Sequence, residues 1–210
     1  MNRVVGRKIG YFGGSFDPIH LGHLHLAIEL FERHHLDEIL FCPTSQSPYK
    51  THSPPLASKE ERRAMVTAAI SPLPQFTLLD MELQKQDPCY TIDTLELLLD
   101  SDRASNAPKK HYFLLLGEDQ LENFHQWKEV ELLLTKTSPL IGSRDHSHKK
   151  SLDHFSGKML SKIKKGMTPI PTLEISSSEI RKRIKASLYC GHLLPVKVWD
   201  YIVNQCQAYR

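Results

Sequence analysis

Short apolar runs suited to β-strands alternate along the chain with segments of helical periodicity, and this alternation restricts the fold more than any other feature. The predicted strands are Lys8–Phe12, Glu38–Cys42, Phe76–Leu79, Tyr112–Leu116 and Pro139–Gly142. The predicted helices are Leu21–Arg33, Ser58–Ile70 with Ser58 as N-cap, Thr91–Leu99, Leu121–Leu134, Glu174–Ala186 and Leu194–Cys206. This order predicts an α/β fold with a doubly wound parallel sheet of five or six strands and helices on both faces.

The length of the chain, 210 residues, fits a single domain that spans residues 1–210. Within it, residues 145–168 are rich in Lys, His and Ser and show little periodicity, which indicates an irregular, solvated connection. Residues 175–210 contain the last two predicted helices, which we expect to close the domain.

Composition and charge argue against several classes of protein. Apolar residues make up 40% of the chain, enough for a core, and a formal net charge of +3 creates no strong field for nucleic acid or membrane. No apolar run approaches the length of a membrane span, and residues 1–8 lack the apolar region of a signal peptide. The four cysteines are widely spaced without a C-x-x-C pair, which favours reduced thiols in a cytoplasmic protein over a disulfide.

The loop after the first strand is the first candidate site, because ligands of parallel α/β sheets bind at the carboxyl ends of the strands. Its sequence, GGSFDPIHLGH, covers residues 13–23 and leads directly into a helix. Glycines let the backbone approach a phosphate closely, and the start of a helix supplies N–H groups and a positive dipole end. His20 and His23 are three residues apart, so both imidazoles can donate to one phosphate. The alternatives are a Gly-rich turn with two surface histidines, or a histidine pair that binds a transition metal.

A second motif, ISSSEIR at residues 175–181, opens a later predicted helix. Serine hydroxyls, the N–H groups of a helix start and the guanidinium of Arg181 are groups that suit phosphates. Taken alone, the motif favours an ordinary serine N-cap followed by a solvated arginine. Its pairing with the first motif favours the phosphate interpretation.

The two motifs together resemble the signature of the nucleotidyltransferase superfamily with the H-x-G-H motif, whose members transfer AMP or CMP from a nucleoside triphosphate. Within it, the runs DPCYTIDTL at residues 87–95 and GEDQL at residues 117–121, together with Trp127, resemble the bacterial nicotinate mononucleotide adenylyltransferases. The resemblance extends from about Lys8 to Tyr209, apart from residues 145–168, and it implies a Rossmann-like nucleotidyltransferase fold.

The sequence departs from the pattern of that family at two places. Glu118 stands where a small residue is usual, which adds a carboxylate near the substrate loop. The run Ser47-Pro48-Tyr49-Lys50 stands where Pro-Pro-His-Arg or Pro-Pro-His-Lys is more usual. Lys50 keeps the positive charge, whereas the role of Tyr49 is open.

The resemblance implies transfer of AMP from ATP to the 5′-phosphate of nicotinic acid mononucleotide, which gives deamido-NAD and pyrophosphate in NAD biosynthesis. The catalytic residues that it implies are His20, His23 and Arg181. The ATP-binding residues that it implies are Gly13, Gly14, Ser15, Phe16, His20, His23, Ser177, Ile180 and Arg181. We expect Mg²⁺ to be carried mainly by the triphosphate, since the sequence shows no dedicated metal cage.

The implied acceptor carries a cationic pyridinium ring with a carboxylate on it. Trp127 can stack on such a ring, or it can anchor a helix in a half-buried position. Tyr90 and Thr91 stand at a predicted helix start, where N–H groups suit the carboxylate. The other predicted substrate-binding residues are Lys50 and Arg144, which either contact substrate phosphates or are solvated loop charges, and Asp119, which orients a loop or sugar hydroxyls.

Two other functions share parts of this pattern. A phosphopantetheine adenylyltransferase would carry both phosphate motifs, but the YTIDT run and Trp127 argue against it. A nucleotide-sensing or RNA-binding protein could reuse the fold, but the intact set of His20, His23 and Arg181 and the small net charge argue against that. We therefore expect small-molecule substrates as partners, without nucleic acid or membrane. A homo-oligomer is compatible with the sequence, which leaves the oligomeric state open.

Overall fold

A computed structural model describes residues 6–46, 48, 54–105, 108–143, 152–155 and 157–209. The strands are β1 Arg7–Gly14, β2 Glu38–Pro43, β3 Phe76–Leu78, β4 Lys110–Gly117, β5 Ser138–Ser143 and β6 Met167–Pro169. The helices are α1 Leu21–His34, α2 Lys59–Ile70, α3 Thr91–Ala104, α4 Leu121–Phe124, α5 Val130–Lys136, α6 Gly157–Gly166, α7 Ser177–Lys185 and α8 Val196–Asn204. A short 3₁₀ helix covers Glu118–Gln120.

The strands form one six-stranded sheet in the order β3-β2-β1-β4-β5-β6. Strand β4 pairs in parallel with β1, with Leu114 opposite Tyr11, and with β5 on its other side. Strand β6 extends the sheet in parallel, with Thr168 opposite Gly142. The strand order reverses between β1 and β4, and ligands of such sheets bind outside the carboxyl ends of the strands at this point. The predicted α/β class and doubly wound parallel sheet are confirmed.

The chain divides into two compact units. The first comprises Met1–Phe12, Leu26–Ile39 and Tyr90–Thr172, and the second comprises Gly13–His25, Leu40–Cys89 and Leu173–Arg210. Fully buried core residues of the first unit include Ile9, Leu30, Ile39, Leu95 and Ile141. Those of the second include Ile19, Phe41, Met65, Val66, Ile180 and Val198. In the second unit helix α2 packs against α8.

Local sequence signals account for the start of α2 and for the burial of β4. The Ser58 side chain accepts from the Glu61 N–H, and the Glu61 carboxylate accepts from the Ser58 N–H, which is a capping box. In β4, Leu114, Leu115 and Leu116 are consecutive and all buried. A run that is apolar without alternation is typical of a strand covered on both faces.

The single helix predicted over Leu121–Leu134 is wrong, because the structure contains two shorter helices there. Helix α4 ends at Phe124, and α5 begins only at Val130. The Trp127 N–H bonds to the carbonyl of Phe124, and Glu129 adopts a left-handed conformation with φ 49°. The apolar side chains keep helical spacing across this break, so the sequence pattern did not reveal it.

The prediction of an irregular connection over residues 145–168 is also wrong for most of the residues that the structure describes there. Residues Gly157–Gly166 form α6, and the chain continues directly into β6. Ile163 is fully buried, and Met159 and Leu160 lie on the same helical face at the preceding turn. Lys158, Lys162, Lys164 and Lys165 surround these few apolar residues, which obscured the helical period.

The structure also tests the expectations for the cysteines and for membrane-spanning helices. The four cysteines, Cys42, Cys89, Cys190 and Cys206, are all free and buried, which confirms the prediction of free thiols. Across the described part of the chain, no helix combines the length and the apolarity that crossing a membrane requires.

Candidate active site

The loop after β1 lies in the second unit and has an unusual backbone at Phe16. This residue adopts φ 48°, in the left-handed region that costs a non-glycine residue roughly 1–3 kcal/mol. Its ring is buried and contacts the rings of Phe41 and His23, with centroid distances of 5.8 and 5.1 Å. Buried ring contacts offset the backbone cost and fix the loop that leads to the two histidines.

His20 and His23 are brought together at the start of α1. Their ring centroids lie 3.7 Å apart with an interplanar angle of 33°. Gly22 makes room for this pair, since a Cβ at that position would lie 3.0 Å from Nδ1 of His20. A side chain at position 22 would require the His20 ring to shift, which favours glycine between the two histidines. The structure brings both imidazoles together, as the spacing predicted.

The two imidazoles differ in their hydrogen-bond partners. His20 is only 5% exposed, and burial lowers its pKa from 6.5 to about 4, so it is neutral at pH 7. Its Nδ1 has no hydrogen-bond partner among the described residues. Nδ1 of His23 accepts from the His20 N–H at 3.2 Å, so the proton of neutral His23 lies on Nε2, which can donate.

The helix start itself offers fewer donors than the sequence suggested. The Leu21 N–H donates to the carbonyl of Leu193 at 3.0 Å, and the His23 N–H donates to the carbonyl of His20 at 3.0 Å. These two N–H groups already have partners within the protein. The expectation of a set of free N–H groups at the start of α1 is therefore wrong for these two residues, and the imidazoles become the more important donors.

Asp17 is a buried carboxylate that the sequence analysis did not single out. Its Oδ2 accepts from the Leu56 N–H at 2.9 Å, and its Oδ1 accepts from the Ala57 N–H at 3.0 Å. Its Oδ1 also accepts from the Tyr209 hydroxyl at 2.6 Å. Burial, reinforced by the charge of Asp17, strongly raises the pKa of Tyr209, which therefore stays a neutral donor. Asp17 thus joins the loop to two distant parts of the second unit.

The second motif reaches the same loop through helix α7. Arg181 donates from Nη1 to the Asp17 carbonyl at 2.6 Å and lies 3.5 Å from the Asp17 carboxylate. The Ser177 hydroxyl donates to the Pro18 carbonyl at 2.9 Å, and Ile180 is fully buried. Ser176 caps the helix by accepting from the Glu179 N–H. The pairing of the two motifs, predicted from sequence, is thus present in space.

Arg62 is the second residue that sequence reasoning missed. It lies on α2, is 1% exposed, and donates to main-chain carbonyls that include Ser15 of the loop. Its spacing contained the signal: with Met65, Val66 and Ala69 it occupies positions i, i+3, i+4 and i+7 of the buried face. An arginine in an apolar stripe of a helix indicates a buried cation whose donors bind specific partners inside the protein.

Tyr90 and Thr91, two of the residues predicted for the acceptor, lie in the first unit at the start of α3. Thr91 is the first residue of that helix, and Tyr90, its N-cap, makes no side-chain cap bond. The ammonium of Lys128 lies 4.8 Å from the centroid of the Tyr90 ring and donates to Asp93 at 2.7 Å. This hydrogen bond raises the pKa of Lys128. Lys128 is a cation that the sequence analysis did not identify.

Trp127 lies in the turn between α4 and α5, and its indole is half-buried. The Phe124 ring meets it edge-on, with a centroid distance of 5.0 Å. Asp119 is exposed and accepts from the Gln120 side chain at 2.9 Å, whereas Glu118 is buried. The predicted contacts of Lys50 and Arg144, and the role of Tyr49, lie outside the described residues.

The low pKa of His20 makes stability depend on pH. An unfolded chain protonates this imidazole near pH 6.5, whereas the folded protein does so only near pH 4. The unfolded state therefore binds more protons between pH 6.5 and pH 4. The contribution of neutral His20 to the free energy of unfolding, on the order of 3 kcal/mol, is lost as pH falls through this window.

We expect His20→Gln to flatten the pH dependence of the free energy of unfolding, measured with urea, between pH 6.5 and pH 4. His192→Gln, at an exposed ring, is the control, and equal slopes for wild type and His20→Gln would contradict the assignment.

Comparisons with known proteins identify the family of this chain. A family model described as Cytidylyltransferase-like matches residues 11–183. A protein of Dictyoglomus thermophilum named "Probable nicotinate-nucleotide adenylyltransferase" is 36% identical over 198 residues, which cover 94% of this chain and 97% of that protein. A protein of the same name from Carboxydothermus hydrogenoformans is 34% identical over 204 residues, covering 95% and 97%.

Solved structures share the fold. The Plasmodium falciparum nicotinic acid mononucleotide adenylyltransferase complexed with NaAD superposes with a TM-score of 0.69 and 23% identity, covering 94% of this chain and 95% of that one. The same enzyme complexed with APC gives a TM-score of 0.64 and 22% identity, covering 94% of each chain. The family predicted from the two motifs is confirmed. The chain belongs to the Cytidylyltransferase-like family and, within it, to the nicotinate-nucleotide adenylyltransferases.

Proposed function

We propose that this protein transfers the AMP part of ATP to the 5′-phosphate of nicotinic acid mononucleotide, which yields deamido-NAD and pyrophosphate. The observation that carries the proposal is the close pair of His20 and His23 on a loop whose Asp17 carbonyl accepts from Arg181 of α7. Relatives at 33–36% identity over most of the chain carry the name of this activity. One solved relative is described as complexed with NaAD, the corresponding product.

The reaction needs no strong protein base. The acceptor is a phosphomonoester whose second pKa is about 6, so it is mostly dianionic at neutral pH. One of its oxygens forms a bond to the α-phosphorus of ATP as the bond from that phosphorus to the bridging oxygen of the β-phosphate breaks. The electron pair leaves with pyrophosphate. Catalysis can therefore rest on positioning and on stabilising the charge that develops.

The two histidines supply donors for that charge. Nε2 of His23 carries a proton because Nδ1 accepts within the loop, and neutral His20 carries one ring proton of its own. The ring centroids lie 3.7 Å apart, so a positive charge on both rings at once is unfavourable. A bound phosphate raises the pKa of a neighbouring imidazole and so opposes the effect of burial on His20.

Arg181 and Ser177 complete the phosphate site in this proposal. One side of the Arg181 guanidinium is held by Asp17 and Ser178, and the group is about one-quarter exposed. A guanidinium has five donors in a rigid fork, so it can bind a phosphate oxygen while keeping these bonds. The remaining predicted ATP contacts, from Gly13 to Phe16, come from the backbone of the same loop.

Mg²⁺ fits this site as part of the substrate. The described residues contain no group of three His, Cys, Asp or Glu side chains that could hold a metal ion. Mg²⁺ usually binds substrate phosphates and water, with one or two carboxylates from the protein. When bound to the triphosphate, it neutralises charge on the leaving pyrophosphate, while the loop orients the α-phosphate.

The acceptor site uses the first unit. Trp127 can stack on the cationic pyridinium ring, and the start of α3 at Thr91 has a positive dipole end that favours the carboxylate. The Lys128 ammonium beside Tyr90 adds a positive charge to that neighbourhood. The dipole at Thr91 and the charge of Lys128 favour an acid over an amide on the ring, whereas stacking on Trp127 serves both.

The assay that tests the function measures pyrophosphate release from ATP with separate acceptors. We expect nicotinic acid mononucleotide to exceed its amide counterpart by about a hundredfold in kcat/KM, since two charged hydrogen bonds of roughly 1.5 kcal/mol or more each separate the two. Trp127→Ala should lower both values alike, because stacking does not distinguish acid from amide. Equal values for the two acceptors would contradict the carboxylate site, and activity with phosphopantetheine instead would overturn the proposed function.

His20→Ala should lower kcat by about 10²–10³ while the protein stays folded. Loss of one donor aimed at developing charge typically has this effect. Steady-state kinetics at saturating ATP, with circular dichroism to confirm the fold, are the measurement. His192→Ala removes an exposed imidazole from the same unit and should leave kcat unchanged. A His20→Ala enzyme within threefold of wild type would exclude this catalytic role.

A further inference from the structure

Arg62 is a buried cation for which a core position alone gives no reason. It is 1% exposed on a helical face that it shares with Met65, Val66, Ala69 and Ile70. Removing a guanidinium from water costs several kcal/mol unless its donors find partners. A methionine or leucine would fill this place without that cost, so the hydrogen bonds of Arg62 indicate what the position requires.

The Arg62 guanidinium donates to four main-chain carbonyls in three segments. Nη1 donates to Ser15 at 2.9 Å and to Thr44 at 2.6 Å, and Nη2 donates to Ser45 at 3.2 Å. Nε donates to Ala57 at 3.3 Å, just before the helix begins. One side chain therefore joins the loop after β1 to the segment after β2. Burial lowers the pKa of Arg62, and the nearby Asp17 carboxylate opposes that shift.

These bonds fix the direction of peptide groups in the candidate phosphate loop. In a planar trans peptide, the carbonyl oxygen and the following N–H point to opposite sides. Because the Ser15 carbonyl is bound by Arg62, the N–H of Phe16 points away from the helix. The Gly14 carbonyl accepts from the Thr44 N–H at 2.9 Å, which ties the same two segments a second time.

We propose that Arg62 is a positioning residue that holds the backbone of residues 14–16 and of Thr44 and Ser45 in the form that binds ATP phosphates. It contacts no substrate and acts through the loop. The proposal rests on the proposed function of this loop as the ATP site. Through the carbonyls of Thr44 and Ser45, Arg62 also orients the segment after β2. This segment precedes Lys50 in the chain, the residue predicted to contact a substrate phosphate.

Lysine at this position keeps the charge but not the geometry. An ammonium is a single compact donor group, whereas the guanidinium spreads five N–H groups over a fixed plane. Arg62→Lys therefore cannot hold the carbonyls of Ser15, Thr44, Ser45 and Ala57 together. Arg63, the next residue on the helix, forms an exposed ion pair with Asp80, so Arg63→Lys is a matched control.

The experiment measures the Kd of a non-hydrolysable ATP analogue by calorimetry, at a temperature well below the unfolding transition of each variant. We expect Arg62→Lys to weaken binding about tenfold and to lower kcat/KM for ATP at least as much, while Arg63→Lys matches wild type. Arg62→Gln, which keeps two N–H groups without the charge, replaces Arg62→Lys if the latter does not fold.

If Arg62 contributes to stability alone, Arg62→Lys will lower the unfolding temperature and leave the Kd of the folded variant unchanged. That result would overturn the proposal. If wild type binds the analogue but transfers no AMP to nicotinic acid mononucleotide, the proposed function fails. The comparison of the Kd values for wild type, Arg62→Lys and Arg63→Lys still decides the role of Arg62.

Discussion

The candidate ATP site depends on the hydrogen bonds and the ion pair of the buried Asp17 carboxylate. It accepts hydrogen bonds from Leu56, Ala57 and the Tyr209 hydroxyl, and the guanidinium of Arg181 lies 3.5 Å away. Hydrogen bonds to a charged group contribute roughly 1.5–3 kcal/mol each, and a buried carboxylate without them would be strongly destabilising. The segments that meet at Asp17 must therefore stay together for the loop to keep its shape.

Charge compensation around this loop has a functional consequence. Asp17 neutralises part of the positive charge of Arg181 and Arg62, while His20 is kept neutral by burial. A loop arranged in this way is stable without a ligand, and it can still offer imidazole and guanidinium donors to a polyanion. Preorganised donors of this kind need little rearrangement when charge develops during reaction.

The sequence predicted the fold well, because the periods of strands and helices differ and the capping signal at Ser58 was strong. It also predicted that the motif of Arg181 pairs with the loop of His20 and His23, and Arg181 bonds to Asp17 of that loop. The break before Val130 and helix α6 were missed, since apolar spacing continues across the first and lysines obscure the second. Asp17, Arg62 and Lys128 act through partners far along the chain. The local pattern contained a signal for the burial of Arg62, but it could not reveal any of these partners.

The central claim is that the loop over residues 13–23 binds the phosphates of ATP. A crystal structure with a non-hydrolysable ATP analogue tests it most directly. We expect phosphate oxygens at about 2.7–3.2 Å from ring nitrogens of His20 and His23, with Arg181 still bonded to the Asp17 carbonyl. A nucleotide bound with its phosphates away from both imidazoles would show that this loop is not the phosphate site.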